Sequence, residues 1–164
     1  MVELSPEGAA SLRVEWDPGP MGELALEGPA PWELLDSVDW TKAELVRVLT
    51  ASFEDGSVLL LAALRPPGAA GHGEESVGAR LGFGGGDPEP VEALISTEYG
   101  AGGTPARVGL ELYRADGEVP LRAAGDALET ASGDREGAPR QVATLEMRLD
   151  GTPGRGLYEI IRAP

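Results

Sequence analysis

The segment Arg140-Gln141-Val142-Ala143-Thr144-Leu145-Glu146-Met147-Arg148-Leu149-Asp150-Gly151-Thr152-Pro153-Gly154-Arg155-Gly156-Leu157-Tyr158-Glu159-Ile160-Ile161 decides the fold class. Up to Leu149 it alternates with period two. Leu145, Met147 and Leu149 share one face, and Thr144, Glu146 and Arg148 share the other, the pattern of a strand with one buried and one wet side. Asp150-Gly151 then supplies a pair of residues that tolerate φ > 0 at both central positions of a type I′ turn, whose twist suits a tight hairpin. A second apolar run, Leu157 to Ile161, returns. Asp55-Gly56 separates two long apolar runs in the same way, and Asp116-Gly117 separates Val108-Leu110-Leu112 from Val119 and Leu121. Three such hairpins make an antiparallel meander.

Outward from this segment, the 24 glycines and 14 prolines are spread among short apolar runs, which punctuates an all-β chain. The runs are Ser11 to Trp16, Gly22 to Leu26, Trp40 to Phe53, Ser57 to Leu64, Val77 to Phe83, Val91 to Glu98, Arg107 to Tyr113, Val119 to Leu128, Arg140 to Leu149 and Gly156 to Ile161. Val58 to Leu64 is apolar on both faces, as in a strand covered on both sides. Helix signals are thin: Pro31-Trp32-Glu33-Leu34-Leu35 suits one turn, and Thr41 to Val46 reads as strand because apolar and β-branched residues continue through Phe53. Gly133 to Pro139 reads as a polar hairpin loop, and Pro66 to Gly73 and Gly84 to Pro88 as flexible connections.

Such a set of strands has an edge problem, which closure into a barrel removes. The expectation is therefore an all-β antiparallel meander, closed into a lipocalin-like β-barrel that fills one domain over residues 1–164. A two-sheet β-sandwich is the alternative. A barrel of eight to ten strands is wide enough to hold one small ligand.

Composition narrows the function. The chain has 164 residues and a formal charge of −15, a surface that repels phosphate backbones and anionic lipid, so neither nucleic-acid binding nor membrane insertion is expected. The charge maintains solubility or attracts a cationic partner. Aromatics are 5% of residues, so the core must rest on Leu, Val and Ala. With no cysteine, disulfides, thiolate metal sites and cysteine nucleophiles are excluded, which fits a cytoplasmic location. The start, Met1 to Glu7, lacks the basic and apolar regions of a signal peptide. Phosphate-loop, nucleophile-elbow and dinucleotide-binding signatures are missing, and no cofactor or metal is expected.

Further residues carry a family likeness. Asp39-Trp40 opens a strand, Asp55-Gly56-Ser57 turns it, and Arg65-Pro66 leads to Gly71-His72-Gly73-Glu74. Ser96-Thr97-Glu98-Tyr99-Gly100 precedes Pro105-Ala106-Arg107-Val108-Gly109-Leu110-Glu111-Leu112, and Asp150-Gly151 precedes Gly154-Arg155-Gly156-Leu157-Tyr158-Glu159. Over about 120 residues this order resembles the C-terminal barrel half of the lipocalin-like carotenoid hydratase (hydroxyneurosporene synthase) and tocopherol cyclase-like group. The resemblance implies a barrel that takes an apolar isoprenoid-like molecule. Because that group has two barrels where this chain has length for one, it also implies pairing with a partner barrel or with a second copy as a homodimer.

Three groups of residues are candidates for chemistry. His72 lies between glycines beside Glu74 and Glu75, where an imidazole can act as acid or base; alternatively these residues form a solvated loop. Glu98, beside Tyr99 at the end of an apolar run, is placed where desolvation at a barrel mouth would make it a proton donor; alternatively it is a strand-end carboxylate beside a Gly-rich turn. Arg107 faces it across a hairpin and is its expected partner. Glu159 interrupts an apolar run. It either points inward and pairs with Arg47, Arg107 or Arg148, or faces water while Tyr158 and Ile160 face the core. Trp16, Trp32 and Trp40, with Tyr99, Arg107 and Tyr113, are the candidate ligand-contacting residues; alternatively the three tryptophans are packing residues that plug one end of the barrel. Three functions follow: a binder of an apolar small molecule; an enzyme of hydratase, cyclase or isomerase type using Glu98, His72 and Glu159; and an interaction module that pairs with another barrel.

Overall fold

A computed structural model describes residues 40–164 apart from 118 and 136, and the backbone of residues 2–3, 11–14 and 24–27; the side chains of His72 and Arg135 lie outside the description. The chain divides into two compact units, 1–38 and 39–164. In the first, β1 (Val2–Glu3), β2 (Ser11–Val14) and β3 (Leu24–Glu27) form a small antiparallel sheet in the order β1-β2-β3. The runs containing Ser11 and Leu24 thus belong to this separate sheet. Pro31 to Leu35 falls outside the described residues.

The second unit is the barrel. Its eight strands are β4 (Leu45–Phe53), β5 (Val58–Arg65), β6 (Ser76–Gly82), β7 (Glu89–Tyr99), β8 (Pro105–Tyr113), β9 (Leu121–Arg135), β10 (Ala138–Leu149) and β11 (Thr152–Arg162). Each pairs antiparallel with its neighbour in sequence, and β11 returns to pair with β4, closing the barrel. The closed meander replaces the sandwich alternative. Trp40 to Lys42 form a turn rather than the start of the strand, so β4 begins five residues later than the apolar run suggests.

The hairpins form where the three Asp-Gly pairs stand, but with three different turns. Leu149 pairs with Thr152, and Asp150 and Gly151 both have positive φ (45° and 91°), the two-residue type I′ geometry. At Asp55-Gly56 only Gly56 is left-handed (φ 81°). The loop is longer there, and the Asp55 carboxylate accepts a bond from the Ser57 amide (2.9 Å). At Asp116-Gly117, β8 ends at Tyr113 and β9 begins at Leu121, so the connection is too long for a tight turn and Gly117 keeps an ordinary φ. Between β9 and β10 the reverse holds: the strands run to Arg135 and resume at Ala138, shortening the loop expected over Gly133 to Pro139.

Alternation settles the inside. Leu49, Leu59, Leu61, Val108, Leu112, Leu145, Met147, Tyr158 and Ile160 share the inward parity and form one buried core, so the centre of the barrel is packed with side chains. On β10 the inward set is Leu145, Met147 and Leu149, as the sequence pattern requires. Val58 to Ala63 are buried on both faces of β5, and outward-facing Val46, Val48 and Ile161 are buried as well.

Candidate functional site

The barrel wall is thin between β6 and β7. Only three pairs join them, Ala79 with Val91, Arg80 with Pro90 and Leu81 with Glu89, after which the strands diverge. Proline 90 has no amide hydrogen to give to the ladder, and Gly78 weakens β6 at the point of parting. The Arg80 side chain instead donates to the Pro88 carbonyl (3.0 Å). Beyond this point β7 continues against β8 alone.

A cavity of about 690 Å³ opens at this parting. Inward-facing Val77, Val91, Ala93 and Ile95 give it apolar walls, Gly73, Glu75, Glu92, Leu94 and Tyr113 stand around it, and Arg47 reaches it from β4. Leu94 is 61% exposed on the outer side of the parting.

Arg47 is the centre of a polar cluster inside the barrel. It shares its parity with Leu45, Leu49, Ala51 and Phe53, so the strand that buries those residues also buries a guanidinium, which is fully inaccessible. Nη1 donates to Thr97 Oγ1 (3.0 Å) and to the Tyr158 hydroxyl (3.3 Å), and Nη2 forms an ion pair with Glu75 Oε2. Thr97 and Tyr158 hydroxyls are themselves 2.7 Å apart. Arg47 Nε is buried with no hydrogen-bond partner among the described residues. Four segments distant in sequence thus converge: β4, the end of the β5–β6 connection, β7 and β11.

The electrostatics follow from burial and pairing. Burial by itself would lower the proton affinity of Arg47, but the Tyr158 oxygen and the Glu75 carboxylate outweigh it and hold it above its ordinary value. Burial raises Tyr158 above the usual phenol range, against the opposing pull of Arg47 and Thr97. At neutral pH Tyr158 is therefore protonated, and Glu75 is the group that neutralises Arg47.

The sequence-derived candidates are distributed differently. Glu98 is on the outer face of β7, exposed, in register with Arg107 on β8; the apolar surroundings that would make it a proton donor are absent because inward parity falls on Thr97. Arg107 is outward as well and pairs with Asp126 on β9 (3.7 Å). Glu159 combines parts of both its readings: Tyr158 and Ile160 do face the core, yet Glu159 on the outer side is buried and forms an ion pair with Arg140 (2.6 Å). His72 begins a short 3-10 turn, His72–Glu74, and its side chain lies outside the described residues. Of its neighbours, Glu74 is exposed and accepts from the Ala70 amide (3.1 Å), while the Glu75 side chain is buried on Arg47 rather than solvated.

Tyr113 borders the cavity, with its hydroxyl donating to Glu111 (2.9 Å), which raises its pKa. Tyr99, at a register shift in β7, is 39% exposed. Trp40 is half-buried in the turn before β4, and Trp16 and Trp32 lie outside the described residues. Among the described residues no cluster of three His, Cys, Asp or Glu side chains could hold a metal, and no helix is long and apolar enough to cross a membrane. Sequence reasoning missed Arg47, Thr97, Tyr158 and Glu75 as one group. Parity alone marks the first three as inward-facing, whereas the contact of Glu75 with Arg47 has no local signal. No protein-family model matches the chain, and no curated protein is similar enough to place it in a family.

Proposed function

We propose that the barrel binds an apolar small molecule in the cavity between β6 and β7, with the Arg47 cluster receiving the molecule's polar end. The observation that carries this reading is the cavity itself: about 690 Å³, walled by Val77, Val91, Ala93 and Ile95 and ending on a buried arginine whose Nε has no hydrogen-bond partner among the described residues. That size and composition, mostly apolar with a few convergent polar groups, suits a ligand of drug-like dimensions. The resemblance to barrels acting on isoprenoid-like molecules supports the same class of ligand. Binding is favoured over catalysis because Glu98 and Glu159, two of the three proposed catalytic groups, point away from this cavity.

Uptake of Nile red, an uncharged dye whose emission shifts to the blue in apolar surroundings, tests the reading. The protein is expected to shift the emission, and Ala93→Trp, which fills the cavity from its wall, is expected to abolish the shift. Equal emission with and without the tryptophan overturns the proposal.

A further inference from the structure

We infer that the cavity takes its ligand as a carboxylate, an acid group on an apolar tail, and that this carboxylate replaces Glu75 on Arg47; the inference rests on the ligand-binding reading above. The guanidinium presents donors in a planar fork that a carboxylate fills with two parallel bonds. On Arg47 the Nε and Nη2 donors form one side of that fork; Nη2 meets Glu75 Oε2, while Nε has no hydrogen-bond partner among the described residues. The remaining donors, on Nη1, are turned to Thr97 and Tyr158. A guanidinium fork with one donor lacking a hydrogen bond among the described residues thus lies in a buried site that borders an apolar cavity.

Glu75 is also the one member of the cluster that stands outside the strand ladders. Arg47, Thr97 and Tyr158 stand within paired strands, whereas Glu75 ends the β5–β6 connection and has no place in a ladder. That connection, residues 66–75, carries Gly68, Gly71 and Gly73, and β6 beyond it lacks β7 pairing up to Gly78. Exchange of one carboxylate for another leaves Arg47 neutralised throughout, so the transfer never creates an unpaired buried charge, the state that costs most. Glu75 thus occupies the place that the ligand's acid group takes, and the ligand's tail runs along Val77, Val91, Ala93 and Ile95.

Titration calorimetry with dodecanoate, methyl dodecanoate and dodecan-1-ol separates this inference from the broader one. The unmodified protein is expected to bind dodecanoate at least about tenfold more tightly than the ester or the alcohol, because only the acid fills the fork. Glu75→Gln, which weakens the internal competitor, is expected to tighten dodecanoate by about tenfold and leave the ester unchanged. Arg47→Met is expected to bring the acid down to the level of the ester. Equal affinity for all three compounds overturns the carboxylate inference while the apolar-ligand reading stands. So does a protein that takes up Nile red but not dodecanoate. Dodecanoate binding that Glu75→Gln leaves unchanged or weakens overturns the exchange. Comparison of acid with ester on the unmodified protein needs no variant to fold.

Discussion

Glu75→Ala and Arg47→Met remove opposite halves of one buried ion pair, and the structure makes their costs unequal. Arg47 is fixed in the interior of β4, pointing inward with no exposed surface. Without Glu75 its charge stays where it is, held by two neutral hydroxyls, and breaking a buried pair this way costs about 3–5 kcal/mol. The adjoining cavity lets water reach the freed Nη2, so the lower end applies, about 3 kcal/mol. In Arg47→Met the charge left behind is Glu75, which stands outside the strand ladder and has a further contact besides Arg47, while the methionine adds apolar surface to the core. With the ion pair gone and no charge left buried in the strand, the remaining cost is the bonds to Thr97 and Tyr158, about 1 kcal/mol. In urea, with a slope of about 1.5 kcal/mol per molar, the two midpoints should fall by about 2 M and about 0.7 M respectively. The double variant should lie near Arg47→Met, because removing the arginine removes the reason Glu75 is needed. Far-ultraviolet circular dichroism reads the barrel strands directly. If Arg47→Met costs as much as Glu75→Ala, the orphaned-charge argument fails.

Two further outcomes follow from the packing and the titration behaviour. A Cβ at Gly154 would lie 2.3 Å from the Ser52 carbonyl oxygen and 3.0 Å from the Phe53 Cα, so Gly154→Ala must shift backbone where β11 meets β4 and should cost about 2 kcal/mol or more. Gly78→Ala meets nothing within 4 Å and should be neutral or stabilise by about 0.5 kcal/mol; thermal midpoints moving in the same direction for both would contradict this. Tyr158 holds its proton in the fold past the pH at which an unfolded tyrosine, near 10, releases it. Its contribution is thus complete below that value and lost above it, with stability falling by up to about 1.4 kcal/mol per pH unit. Urea midpoints at pH 9, 10 and 11 should show this slope in the unmodified protein and a shallower one in Tyr158→Phe, and parallel profiles would refute it.

Much of the barrel is legible because period two is a local property. The alternation of Leu145, Met147 and Leu149 and the Asp150-Gly151 turn are each decided within a few residues, and both appear in the fold as the pattern requires. Asp116-Gly117 shows the limit: the same dipeptide closes a tight turn only where the flanking strands come close enough, and pairing, which is non-local, decides that. Glu159 shows another limit. Both faces of β11 are apolar, so alternation could not choose a side, and its partner Arg140 is brought opposite by the β10–β11 register. Arg47 was readable by parity, since no strand that buries Leu45, Leu49 and Phe53 on one face can expose it. That its partner is Glu75, 28 positions away on a connecting segment, depends on the closure of the whole barrel.

The residues that break the rules of a good strand are the ones that create the cavity. A barrel exists to remove sheet edges, yet Pro90 and Gly78 stop the β6–β7 ladder after three pairs and give two edges back. An exposed edge invites pairing with another chain, and β7 carries Glu89, Glu92 and Glu98 on a protein of net charge −15, so a second copy brought edge to edge meets like charge. That weighs against a homodimer formed through this opening and in favour of a small occupant. The same charge repels an anion at long range. Beyond about 10 Å in ordinary salt that repulsion is screened, while at the cavity itself Arg47 is the cation, beside Glu75 and Glu92. A local departure from ideal strand chemistry, flanked by acidic residues and bordered by a buried guanidinium, is what the proposed ligand site requires and a purely structural barrel does not.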